Sequence, residues 1–276
     1  MATTIATITI TTTIMGMTTG TITGTITTMI TIAATTMITI TGTTMITGTP
    51  ISAPTAGSAR PRGSQVKFQY LRDAAKIYEK SFAMVRAETD LGRFSPAEAD
   101  VVVRLVHACG EPAIAAQLVQ AGDWTEAGRH ALAAGAPVLV DSRMVAAGIV
   151  RSRLPAGNPV ICTLNDERVA KIARLLANTR SAAAVELWRP HLDGALVAIG
   201  NAPTALFRLL EGLSDDWPKP AAILGFPVGF VGAAESKDAL IRHAQGVPYL
   251  TLRGRWGGSA LAAAAVNALA LSGEGA

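Results

Sequence analysis

Ala195-Leu196-Val197-Ala198-Ile199-Gly200-Asn201-Ala202-Pro203-Thr204 runs from an apolar stretch through a turn into a helix start. Its apolar residues are consecutive rather than alternating. That pattern belongs to a strand covered on both faces, which parallel sheets achieve by crossing over through helices. Pro203 suits the first position of the helix that follows. Short apolar runs at 138–141, 160–164, 221–225 and 249–253 repeat the theme. Helical patterns fill the rest, at 74–88, 96–109, 112–121, 124–134, 168–176, 181–192, 203–213, 235–243 and 258–271. The expected fold is α/β, a three-layer α/β/α arrangement with a mainly parallel sheet of about five strands.

Ligands of such folds bind beyond the carboxyl ends of the strands. The segments there are rich in Gly, Asn, Thr and Arg: 141–144, 163–166, 200–204, 225–232 and 253–259. Gly200-Asn201-Ala202-Pro203-Thr204 and Gly257-Gly258-Ser259 each open a helix, and both are expected to offer backbone N–H groups to a carboxylate or phosphate. Asn201 and Thr204 either cap the helix beginning at Pro203 or contact that ligand. Phe226 and Phe230 are either core or a wall of the binding site. Lys237, beside Glu235, reads as part of a solvated first turn.

One ionisable group stands out earlier in the chain. In Ser95-Pro96-Ala97-Glu98, Ser95 can cap a helix, Pro96 suits its first position and Glu98 completes a capping box. Gly110 tolerates the left-handed conformation that ends a helix. His107 therefore falls in the last turn, where the negative end of the helix dipole favours an imidazolium, the form a proton donor needs. By itself such a histidine is more often structural than catalytic.

Composition bounds the rest. Positions 1–49 use only Met, Ala, Thr, Ile and Gly, and the first charge is Arg60. Residues 1–65 form a low-complexity Thr/Ile-rich tail and linker, with 50–65 as the linker, and 66–276 the domain. Thr-Ile alternation suits a strand. The tail lacks the basic start and compact apolar stretch of a signal peptide, and threonine interrupts every apolar run, against a membrane span. Histidine codons read one base late give Thr or Ile, and aspartate after histidine gives Thr or Met. The tail is thus either a disordered segment or an out-of-frame reading of a His/Asp/Gly-rich tract, from a start placed too early. N-terminal mass analysis of the native protein that found the tail would refute the second reading.

A net charge of +4 on 276 residues is too small and dispersed for nucleic acid. Cys109 and Cys162 are expected to be small buried thiols of a cytoplasmic protein, neither bridged nor metal-bound. His130, His191 and His243 are expected to be solvated, and histidine spacing suggests no metal site. A dinucleotide fingerprint, a Walker loop and a nucleophile elbow are all missing from the sequence.

Five phrases stand in order along the domain: Ile77-Tyr78-Glu79-Lys80-Ser81-Phe82, Arg104-Leu105-Val106-His107-Ala108-Cys109-Gly110, Asn178-Thr179-Arg180-Ser181-Ala182-Ala183, Ala198-Ile199-Gly200-Asn201-Ala202-Pro203-Thr204-Ala205-Leu206 and Pro227-Val228-Gly229-Phe230-Val231-Gly232-Ala233-Ala234-Glu235-Ser236-Lys237. Together they resemble the precorrin-8X methylmutase family of corrin biosynthesis. The likeness spans about Gln69 to Leu271 and leaves out residues 1–65. It implies an isomerase that moves a methyl group from C11 to C12 of precorrin-8X, giving hydrogenobyrinate, without cofactor or metal. It also implies a homodimer with each active site near the subunit interface. The family's catalytic histidine falls on His107, a substrate-contacting serine on Ser81 and an arginine on Arg180; Asn201 and Thr204 are assigned to substrate binding with them. From the residues alone, Ser81 is as well read as a hydroxyl bonded back to its own turn, and Arg180 as a surface cation.

Two other readings stand beside this one. A non-catalytic corrinoid carrier would need the pocket but not the acid at His107. The same isomerase could instead act on cobalt-precorrin-8. The tail's Thr and Ile side chains offer no metal ligands, so a metal-handling role finds no support there.

Overall fold

The structure, a computed structural model, describes residues 26–32, 36–42 and 68–271. Met1–Lys67 and Phe68–Ala276 are separate units. In the first, β1 (Ile26–Ile32) pairs antiparallel with β2 (Thr36–Gly42), Ile30 opposite Ile38. The remainder of the Thr/Ile tail and the 50–65 linker lie outside the described residues.

The second unit runs α1 (Ala74–Glu88), α2 (Pro96–Cys109), α3 (Ile114–Gln117), β3 (Leu118–Ala121), α4 (Trp124–Ala133), β4 (Val138–Val140), α5 (Arg143–Gly148) and β5 (Val160–Ile161). It continues through α6 (Val169–Leu175), α7 (Arg180–Glu186), β6 (Leu196–Ile199), α8 (Pro203–Ser214), β7 (Ala222–Gly225), α9 (Ala233–His243), β8 (Tyr249–Leu252) and α10 (Ser259–Ala270). Strand order is β3-β8-β7-β6-β4-β5, parallel throughout except for β3 against β8.

Continuous apolar runs become two cores because successive strand residues point to opposite faces. Val138, Val140, Leu196, Ala198, Leu224 and Leu250 join the core under α2, α4 and α10. Their neighbours Leu139, Val197, Ile199, Ile223 and Tyr249 join the core under α8 and α9. Each fully buried Leu, Val or Ile adds roughly 1.5–3 kcal/mol of transfer free energy, so the two layers dominate the fold's stability.

The expected three-layer α/β/α arrangement is the one observed, and all five expected strands are present. The span 112–121 is corrected: it is not a single helix but the four-residue α3 followed by β3. Ala115, Ala116 and Gln117 favour a helix locally, but Leu118–Ala121 finds ladder partners at Leu252–Tyr249 that no local signal announces. The 181–192 helix is likewise shorter, α7 with a separate 3-10 turn at Arg189–His191. Helix α5 was not expected; Ser142 caps it by accepting from Val145 N at 3.3 Å.

Candidate active site

The signals at the ends of α2 do what the sequence implies. Ser95 Oγ accepts from Glu98 N at 3.4 Å, Glu98 accepts from Ser95 N at 2.7 Å, and Gly110 at φ +69° donates to Val106 O. The buried face of α2 is Val101, Val102, Val103, Leu105 and Val106, which leaves Asp100, Arg104 and His107 along another stripe at spacings of four and three.

That stripe meets α1. Asp73 caps α1 by accepting from Ala75 N and Lys76 N, yet α1 contributes no buried side chain. Its attachment to α2 is polar and aromatic: Arg86 pairs with Asp100 at 2.7 Å, Arg104 donates to Tyr78 Oη at 2.9 Å, and Ser81 Oγ lies 3.0 Å from His107 Nδ1. Phe82 flanks the imidazole at 4.8 Å between centroids and stacks on Tyr78 at 4.3 Å. Ser81 therefore bonds the histidine, not its own turn. His107 itself is exposed, so its other nitrogen can reach a ligand.

A second group gathers at the carboxyl ends of β4 and β6. Asp141 is buried and accepts from Gly200 N at 2.9 Å, Asn201 N at 2.9 Å and Ala202 N at 2.7 Å. Burial pushes its carboxyl above the ordinary carboxylate value, while the three N–H bonds pull it back. The turn expected to receive a ligand's carboxylate is thus filled by the protein's own. Neither Asn201 nor Thr204 caps α8, whose Ala202 cap makes no side-chain bond. Instead Thr179 Oγ1 donates to Thr204 Oγ1 at 2.8 Å and caps α7 through Ala182 N. Arg180 opens α7 with an exposed guanidinium that donates to Leu164 O at a long 3.3 Å.

A rim continues along the exits of β7 and β8. Gly258 N donates to Phe226 O at 2.8 Å, and Arg255 lies 5.0 Å over the Phe230 ring. Phe226 is core; Phe230 is 82 % exposed and Trp256 54 %. Lys237 corrects the expectation of a solvated turn, because it is fully buried and its ammonium donates to Trp256 O. Burial lowers its amine to about 8, with Asp238 opposing. The signal was legible: Ala233, Lys237 and Leu240 fall on one helical stripe. Cys109 corrects another expectation. It is an exposed free thiol because the buried face of α2 ends at Val106, and Cys162 is half-buried and also free.

His130, His191 and His243 are exposed, as expected. The structure brings Ser81 to His107, and Thr204 to Thr179, the chain neighbour of Arg180, while Asn201 is held through its backbone N–H by Asp141; among the described residues no hydrogen bond joins the two groups. A cleft of about 440 Å³ between α8 and α9 contains none of the five. No group of His, Cys, Asp and Glu that could hold a metal ion occurs among the described residues, and none of their helices is long and apolar enough to cross a membrane.

Four likenesses to known proteins bear on this arrangement. A family model described as precorrin-8X methylmutase (CbiC) matches residues 76–272. The precorrin-8X methylmutase of a Sinorhizobium species is 60 % identical over 207 residues, 75 % of this chain and 99 % of that protein. That of Pseudomonas aeruginosa is 58 % identical over 205 residues, covering 74 % and 99 %. The solved precorrin-8X methyl mutase of Thermus thermophilus superposes with a TM-score of 0.65 at 42 % identity, over 71 % of this chain and 95 % of its own.

Proposed function

The chain belongs to the precorrin-8X methylmutase family, methylmutases being isomerases, and on that premise we propose how its residues carry the reaction. His107 is the acid. As an imidazolium it donates from Nδ1 to Ser81 Oγ and presents Nε2–H to the macrocycle. A methyl shift from C11 to C12 of precorrin-8X is a 1,5-sigmatropic migration, which needs no nucleophile and no electron donor. It needs an electron-poor conjugated system, and one proton placed on the ring system supplies that. The methyl carbon leaves C11 as it bonds to C12, the proton returns to His107, and the product, hydrogenobyrinate, has the substrate's atoms rearranged.

The observation that carries this reading is the Ser81–His107 pair at 3.0 Å, set on an exposed helix end inside an aromatic flank. Arg180, Asn201 and Thr204 serve the peripheral carboxylates; the exposed guanidinium of Arg180 is suited to a bidentate pair. Ser81 acts on the substrate chiefly through the histidine. Phe230 walls the macrocycle. No cofactor takes part. The two close relatives are both named for precorrin-8X, which favours the metal-free substrate. Two copies associate as a homodimer, supported by Ile77, Tyr78 and Met84 left exposed along α1. The free thiols Cys109 and Cys162 suit a reducing cytoplasm.

The test is to incubate the purified chain with precorrin-8X carrying ¹³C in the migrating methyl, following absorption and the carbon resonance. Movement of the label to C12 with a hydrogenobyrinate spectrum is expected. Macrocycle that binds without rearranging contradicts the enzyme reading and favours the carrier; turnover of cobalt-precorrin-8 alone would overturn the metal-free assignment.

A further inference from the structure

A lysine is almost never wholly buried unless it is paired. Lys237 is wholly buried, and no carboxylate lies within ion-pair distance of it among the described residues. Packing does not ask for it, since a methionine would fill the same stripe between Ala233 and Leu240 without burying a charge. What a methionine lacks is a donor, and the Lys237 ammonium donates to Trp256 O, in the loop after β8.

That loop is also fastened to the one after β7. Gly257 has no room for a Cβ against the carbonyl oxygens of Phe226 and Pro227, and Gly258 N donates to Phe226 O at 2.8 Å. Arg255 covers Phe230 from the opposite loop at 5.0 Å. The side chains so displayed, Phe230 and Trp256, are turned out to solvent, so the fastening serves the surface and not the core.

We propose that Lys237 is a positioning residue for the macrocycle-binding rim, holding the Trp256 carbonyl so that the loops after β7 and β8 stand together as one wall. This rests on the reading above that the rim contacts the substrate. Lys237 itself touches no reacting atom.

The experiment compares the full chain with Lys237→Met, which keeps the bulk, and Lys237→Gln, which keeps an N–H at shorter reach. Trp256 is a clean reporter, since Trp124 and Trp188 are 0 % exposed and Trp217 5 %. In Lys237→Met, acrylamide quenching of the exposed tryptophan should rise about twofold. KM for precorrin-8X should rise about tenfold, the scale of one charge-assisted hydrogen bond, while kcat stays within about twofold. Lys237→Gln should fall between, and decides the matter if the methionine variant does not fold. Unchanged quenching and KM overturn the proposal, as does a fall in kcat at constant KM. If the unaltered chain does not turn over precorrin-8X, the proposed reaction fails, while quenching and a hydrogenobyrinate titration still decide what Lys237 holds.

Discussion

Around His107 the chain is held from outside, whereas at the carboxyl ends of the strands it is held from within. Helix α1 meets α2 through Arg86–Asp100, Arg104–Tyr78 and Ser81–His107, all exposed. The turn at 200–202 and the loop at 253–258 hang instead on Asp141 and Lys237, both buried. Exposed pairs are worth about 0–1 kcal/mol each, but a buried charge that loses its partners costs several. The first region can therefore change its chemistry without endangering the fold, and the second cannot.

The largest test of that contrast is Asp141→Ala, which strands the N–H groups of Gly200, Asn201 and Ala202. Urea unfolding should show a loss of about 3–5 kcal/mol, and a loss under 1 kcal/mol would erase the distinction.

Next comes the pH dependence of Lys237. Its amine sits at about 8 when folded against an ordinary 10.5, so between those values the unfolded chain holds the extra proton. Stability therefore rises as pH climbs from 8 to 10.5, by up to about 3 kcal/mol, and that gain is lost as pH falls back through 8. Denaturation of Lys237→Met across the same window should lack this rise.

On the other side of the comparison, Ser81→Ala should slow turnover by about tenfold through a misoriented imidazole while leaving the unfolding free energy within about 0.5 kcal/mol. Smallest of all, Arg86→Ala should cost under about 0.5 kcal/mol, and high salt should remove even that.

The same contrast explains what could be read in advance. The ends of α2 were legible to the residue, because Ser95, Glu98, Pro96 and Gly110 act within a few positions of themselves. The strands at 138, 160, 196, 222 and 249 were legible because burial on both faces writes itself as an unbroken apolar run. β3 was not, since Leu118–Ala121 becomes a strand only through β8, more than a hundred residues away. At the site, His107 and its cap belong to the local kind of information. Asp141 belongs to the other: nothing within its own segment says that it will fill the turn at 200–202, which looked like a vacant anion seat. Lys237 lay between the two, announced by its stripe on α9 but overridden by the habit of reading lysine as solvated.

The most direct measurement sets His107→Ala beside the unaltered chain with precorrin-8X, separating bound from free macrocycle and following the absorption of both. An exposed acid at the end of α2, outside its buried face, predicts a variant that folds and binds the macrocycle as before, with conversion slowed by about 10²–10⁴-fold. Conversion by His107→Ala at the unaltered rate would contradict the account and move the acid elsewhere.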